Sequence, residues 1–190
     1  MARKLVSRSA AKKTARTTVS RIVIADASPI IGLSLIGGLD WLQPLFGSVT
    51  ITSTVRDELL FNVEREPKHG MAEIVKAINQ RIIKVLSRDW PEPLFAHLDD
   101  GEASVLRAAA NQRVACLVII DEALGRRAAL ALVNLVQMPI AVTGLVGLII
   151  AAKQKRLIPK VAPVLKRLDD VGFRLSPVLV AEALVMAREL

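Results

Sequence analysis

From residue 22 onward, short apolar runs alternate with longer segments whose apolar positions recur at helical spacing. Residues 22–25 (Ile-Val-Ile-Ala) are apolar throughout, as expected of a central parallel strand covered on both faces. Asp26 ends that run. Ser28-Pro29 reads as a helix N-cap followed by proline at the first helical position. The helix continues through Ile30, Leu33, Leu35 and Ile36, and stops at Gly37-Gly38. A short helical piece is expected over 39–46 and a second strand over 49–51. Thr52 or Ser53 then caps a helix that carries Val55, Glu58, Leu59 and Leu60. Met71, Ile74, Val75 and Ile78 share one face of a helix expected from Lys68 to about Asn79.

Residues 82–85 form a third expected strand, and Trp90-Pro91-Glu92-Pro93 a loop. Asp99-Asp100-Gly101 opens a helix through Glu102, Val105, Leu106 and Ala109. A fourth strand over 116–120 ends at Asp121-Glu122, followed by a helix through Leu124, Ala128 and Leu132. A fifth strand is expected over 140–142, with Thr143 capping an apolar helix to about Lys155. Two further helices fall near 160–171 and 177–189, each announced by a proline. Alternating strands and helices imply βαβ crossovers, hence an α/β fold with a central parallel sheet of four to five strands between helical layers. Sites in such sheets form beyond the carboxyl ends of the strands.

Composition narrows the function. The chain has 190 residues, 52% apolar and 23% charged, which suits one globular domain with a core. Two Trp, four Phe and no Tyr leave little for stacking single-stranded bases on aromatic platforms. Cys116 is the single cysteine and lies in an apolar run, so it reads as a core residue; no intramolecular disulfide is possible. His69 and His97 stand apart from each other and from Cys116, which argues against a structural zinc site. The net charge is +8, but seven of the 26 basic residues fall within residues 1–21, which hold no acid. The remaining 19 basic residues face 18 acidic ones, so the body is nearly neutral. Residues 1–20 are therefore expected to be a basic, disordered tail, either a solvated extension or a phosphate-contacting arm, ahead of a domain over 21–190. The apolar stretch 139–152 is short for a bilayer span. No membrane association is expected, and a cytoplasmic location fits the cysteine usage.

Four acids stand where the sheet rule puts a site. Asp26 follows the first strand and Asp121, with Glu122 beside it, the fourth. Glu58 lies in the helix after the second strand, and Glu102 in the first turn of the helix opened at Asp100-Gly101. Clustered carboxylates repel, and a hard divalent cation relieves the repulsion with oxygen ligands. Such a cation could activate water and stabilise a phosphodiester transition state without a His or Cys base. Singly, each acid is also ordinary turn or helix-dipole chemistry. Asp26 differs, because an unpaired charge inside an apolar segment is costly. A phospho-acceptor role for Asp26 would need a lysine near the end of the last strand, and Val142-Thr143 offers none.

Several motifs together resemble the PIN-domain family, specifically a prokaryotic branch often encoded as the toxin half of toxin–antitoxin pairs. They are Asp26-Ala27-Ser28-Pro29, Asp99-Asp100-Gly101-Glu102, Asp121-Glu122 with Gly125-Arg126-Arg127, Thr143-Gly144-Leu145-Val146-Gly147 and the segment 172–177. The resemblance spans roughly residues 21–188. It implies a three-layer α/β/α sandwich and an endoribonuclease dependent on Mg²⁺ or Mn²⁺, with Asp26, Glu58, Glu102 and Asp121 as catalytic and metal-binding acids. Glu122 is a further ligand, either partner of or substitute for Asp121. Ser28 matches a small hydroxyl residue that supports the metal shell or substrate, although its helix-cap role explains it equally well. Arg126 and Arg127 are candidate RNA-phosphate donors, and equally ordinary helix-surface charges. The partners implied are RNA, a cognate antitoxin and a second copy of the chain. The competing expectation is a non-catalytic nucleic-acid-binding module of the same fold.

Overall fold

The computed structural model describes residues 21–65, 70–136 and 139–190. The basic segment 1–20 and the Lys68-His69 start expected for one helix lie outside the described residues. Five strands form one parallel sheet: β1 (Arg21–Ala25), β2 (Val49–Ile51), β3 (Ile83–Val85), β4 (Ala115–Ile119) and β5 (Ile140–Thr143), in the order β3-β2-β1-β4-β5. The helices among the described residues are α1 (Ala27–Leu35), α2 (Leu42–Phe46), α3 (Ser53–Arg65), α4 (Met71–Asn79), α5 (Asp100–Ala110), α6 (Ala123–Val133), α7 (Leu145–Gln154), α8 (Ala162–Asp170) and α9 (Pro177–Met186).

The strand centres are buried, with Ile24, Ile51, Ile83, Val118 and Ile119 at 0% exposure, while Arg21, Lys84 and Ala141 are exposed. That explains their unbroken apolar runs, since a parallel sheet is covered on both faces. On one side α1 packs against α3, α4 and α7. On the other α5 packs against β1, β4, α6 and α3. The result is a three-layer α/β/α sandwich, with α3 touching both helical groups. Among the described residues no single helix is long and apolar enough to cross a membrane. The apolar stretch 139–152 divides between β5 and α7.

Three local expectations change. Ser28 does not cap α1: Asp26 holds the N-cap position in extended backbone, so Ser28 and Pro29 lie inside the first turn. Proline is tolerated there because the first four helical N–H groups lack intrahelical partners anyway. Thr143 does not cap α7, being the last residue of β5; the cap position is Gly144. Gly70, at φ 105°, precedes α4, which begins at Met71.

The sheet order sets the position of the site. From β1 the chain steps outward to β2 and β3, then returns to the opposite side of β1 as β4. The connections leaving β1 and β4 therefore diverge, and a crevice opens beyond their carboxyl ends.

Candidate active site

β1 and β4 run in register from Arg21↔Ala115 to Ala25↔Ile119, and the ladder continues as Asp26 N–H donates to the Ile119 carbonyl (2.9 Å). Asp26 is thus level with Ile120, and Asp121 stands one residue further on. Side chains alternate between faces along a strand, so this one-residue offset separates the two aspartates. Asp26 faces the α3 and α5 side. Its carboxylate lies beside the Cα of Gly101: a Cβ there would stand 3.4 Å from Asp26 Oδ1, 3.4 Å from Asp99 Oδ1 and 2.6 Å from Glu58 Oε2. Glycine in the Asp-x-Gly-Glu motif leaves the room in which three acids converge.

α5 contributes two of the acids through its own start. Asp99 is the N-cap, and its side chain accepts from Glu102 N–H (2.7 Å). That cap turns Glu102 inward, where it is 2% exposed. The Glu102 carboxylate lies against Gly125 of α6, where any Cβ would collide with Oε1. Glu122, the N-cap residue of α6, completes the group. One carboxylate oxygen from each of Asp99, Glu102 and Glu122 lies within 4.8 Å of the others. In the sequence, Asp99 stands out only as part of a helix opening. Its three-residue spacing from Glu102 was the available signal, because a cap points its carboxylate along the face that N3 occupies.

α3 and α5 are held together by a buried hydroxyl relay. Val55 N–H donates to Thr52 Oγ1 (3.1 Å), and Thr52 Oγ1 lies 2.6 Å from Ser104 Oγ. Ser104 Oγ in turn donates to the Gly101 carbonyl (2.7 Å). Because Ser104 uses its proton on Gly101, Thr52 must donate to Ser104. The relay fixes the start of the Glu58 helix against the Gly101-Glu102 turn.

The electrostatics follow from burial and like charge. Burial pushes Asp26 up to about 7; the Ala27 N–H opposes this, and Glu58, Asp99 and Glu102 add to it. Burial likewise raises Glu102 to about 7, reinforced by Asp99, Glu122 and Glu58 against the Gly125 N–H. Glu58 is raised by burial, then by Asp99 and Glu122. Glu102 Oε1 is enclosed and has no hydrogen-bond partner among the described residues.

Asp121 has a different environment. Its Oδ1 accepts from Leu145 N–H (2.8 Å), so it caps α7 from the neighbouring strand in place of Thr143. Burial raises its pKa, the Leu145 N–H and Arg126 hold it down, and Glu122 raises it again. Arg126 also reaches the Ile120 carbonyl (3.4 Å). Arg127 is exposed on α6, and Ser28 is half-buried in the first turn of α1. The cluster is therefore Asp26, Glu58, Asp99, Glu102 and Glu122. Of the adjacent pair, Glu122 joins it and Asp121 turns toward α7. Cys116 takes no part: burial pushes its thiol up to about 11, which keeps it protonated.

An all-oxygen donor set with an orphaned buried carboxylate oxygen suits a hard divalent cation. Metal–oxygen bonds of about 2.1 Å hold ligand oxygens within about 4.2 Å of one another, and three oxygens that all lie within 4.8 Å are near that range.

The chain belongs to the PIN-domain family: a family model described as a PIN domain matches residues 22–189. No curated protein and no solved structure matches it. Family membership and the acidic cluster together define a nuclease-like fold with a candidate metal centre.

Proposed function

We propose that the protein is an endoribonuclease dependent on Mg²⁺ or Mn²⁺. The observation that carries this reading is the convergence of five carboxylates beyond the β1 and β4 ends, with the oxygens of Asp99, Glu102 and Glu122 close enough to share one cation. Asp26, Asp99, Glu102 and Glu122 would hold the cation. When bound, it supplies Lewis-acid stabilisation of phosphodiester charge and makes a water acidic enough to attack. Asp26 and Glu102 would have to be ionised to serve as ligands, since only carboxylates bind tightly. Glu58 Oε2, set over Gly101 beside Asp26, accepts the proton of the attacking water.

The same reading makes the protein the toxin of a type II toxin–antitoxin pair, active in the cytoplasm. The family resemblance supports this. So do the exposed apolar side chains Val178, Val185 and Leu190 at the carboxyl end of the chain, a surface of the kind an antitoxin or a second copy covers.

The test is cleavage of labelled RNA by the purified chain with Mn²⁺, with Mg²⁺ and with EDTA. Cleavage in the metal arms, and its loss in Asp26→Asn, is expected. Equal degradation by wild type and Asp26→Asn would refute the metal-centre reading.

A further inference from the structure

Asp121 and Glu122 leave β4 side by side and enter different surroundings, and the turn that parts them is tied at each residue. Ile120 N–H donates to the Thr143 carbonyl (2.9 Å), which extends the β4–β5 ladder. The Ile120 carbonyl accepts from Arg126 Nη1 (3.4 Å), and the Glu122 carbonyl from Arg126 N–H (2.9 Å). Asp121 Oδ1 accepts from Leu145 N–H (2.8 Å). These groups meet over Gly144, where a Cβ would collide with Asp121 Oδ1 and stand 3.1 Å from Arg126 Nη1 and 3.4 Å from the Ile120 carbonyl. The Glu122 side chain is exposed and makes no capping hydrogen bond, although it holds the N-cap position of α6. Its carboxylate is left to join Asp99 and Glu102.

Asp121 keeps different company. After burial, the acids that press on Glu102 are Asp99, Glu122 and Glu58, and Asp121 is not among them. Against burial, the charge of Asp121 is answered by the Leu145 N–H and Arg126. Its Oδ2 is enclosed without a hydrogen-bond partner among the described residues, so the charge rests on those two groups. A carboxylate compensated by a cation and a helix amino end has less need of a metal than one set among acids. We propose, resting on the metal-centre reading above, that Asp121 and Arg126 are a positioning pair that pins the turn after β4 and aims Glu122 into the acid cluster, and that Asp121 is not itself a ligand. Asp121 fastens the turn to α7, and Arg126 fastens Ile120 to α6. Without either, the turn gains freedom and Glu122 swings to solvent, away from the acids that repel it.

Calorimetric binding of Mn²⁺ to the full chain tests this. Asp121→Ala and Arg126→Ala should each weaken binding about tenfold, the scale of a lost supporting contact. Asp121→Asn keeps an oxygen for the Leu145 N–H and should restore the affinity. Once Glu122 is replaced by Gln, Asp121→Ala should cost nothing more, because the pair acts through Glu122. Should Asp121→Ala not fold, Arg126→Ala carries the same comparison. If Asp121→Asn loses as much as Asp121→Ala, or if the losses add to that of Glu122→Gln, the proposal falls and Asp121 is a ligand in its own right. A metal-free arm judges the aiming alone. At pH 8 Glu122→Gln should raise the melting temperature of wild type by about 2–4 °C by relieving like-charge repulsion. It should leave that of Arg126→Ala unchanged, since there Glu122 has already left the cluster. An equal rise in both would overturn the proposal even where Mn²⁺ binds. Wild type that binds no Mn²⁺ but shows the difference refutes the metal centre and keeps the positioning pair.

Discussion

Enclosed carboxylates sit in opposite company at two places in the molecule. At the crevice, Asp26 and Glu102 are buried among other acids and pushed up to about 7. Near the end of the chain, Glu189 is enclosed among donors. Lys153 Nζ bonds its Oε1 at 2.6 Å, Val161 N–H donates to Oε1 (2.7 Å) and Ala162 N–H to Oε2 (3.0 Å). Burial opposes the charge of Glu189, but Lys153 and the two backbone donors outweigh it and hold the pKa at about 2. Glu189 thereby ties the chain end to α7 and to the start of α8. Enclosing a carboxylate is tolerated where donors surround it, and strained where acids do. Glu189 acts as a structural staple, and the crevice is strained by its own acids.

The largest effect should come from relieving that strain without the cation. Glu102→Gln keeps the shape and removes one charge. RNA cleavage should fall by about 100-fold or more, while the melting temperature of the metal-free protein at pH 8 should rise. A variant that loses activity and stability together would mean that Glu102 is structural.

The pH dependence follows. The folded pKa values of Asp26 and Glu102, about 7, lie above their ordinary values of 3.8 and 4.5. Their contribution to stability is therefore fully present below about pH 4 and is lost as pH rises through about 7. Melting of the metal-free protein should show the crevice's contribution falling from pH 5 to pH 8. Mg²⁺ or Mn²⁺ should raise the melting temperature at pH 8 and have little effect at pH 5. Glu189 has the opposite sign: its contribution is present above about pH 4.5 and fades as pH falls toward 2.

Glu189→Ala should destabilise the fold by about 1–2 kcal/mol in denaturant unfolding, because it strands two backbone donors and leaves Lys153 Nζ with only the Ala187 carbonyl. Metal-dependent cleavage by the folded fraction should be unchanged. Thr52→Val should cost about 1–2 kcal/mol by removing the α3 cap and the donor to Ser104. Because the relay holds α3 against α5, Thr52→Val should also weaken Mn²⁺ binding in calorimetry, with Thr52→Ser restoring it. Unchanged affinity in Thr52→Val would restrict the relay to stability.

The elements of the core were readable from local pattern. The strand runs at 22–25, 49–51 and 116–120 match β1, β2 and β4 to within about a residue, since burial on both faces demands unbroken apolar runs. The helix starts were less readable. At Ser28 and Thr143 a good capping residue stood nearby, but strand length decided which residue left the sheet first. In the site, Asp26 could be picked out because it follows a strand, Glu102 because it lies where a helix opens, and Glu58 because it lies in the helix after the second strand. Asp99 was hidden by its capping role.

By itself, then, the sequence determined that acids would gather beyond the strand ends, because the order of apolar and polar segments requires a parallel sheet and Asp26 interrupts an apolar run. Only the tertiary structure decided which acids meet. Asp121 and Glu122 are adjacent in the chain and chemically alike. The β1–β4 register puts Asp26 level with Ile120, so Asp121 turns to cap α7 and Glu122 joins Asp99 and Glu102. A side chain's face at a strand end depends on pairing with a strand some ninety residues away, and no local pattern carries that information.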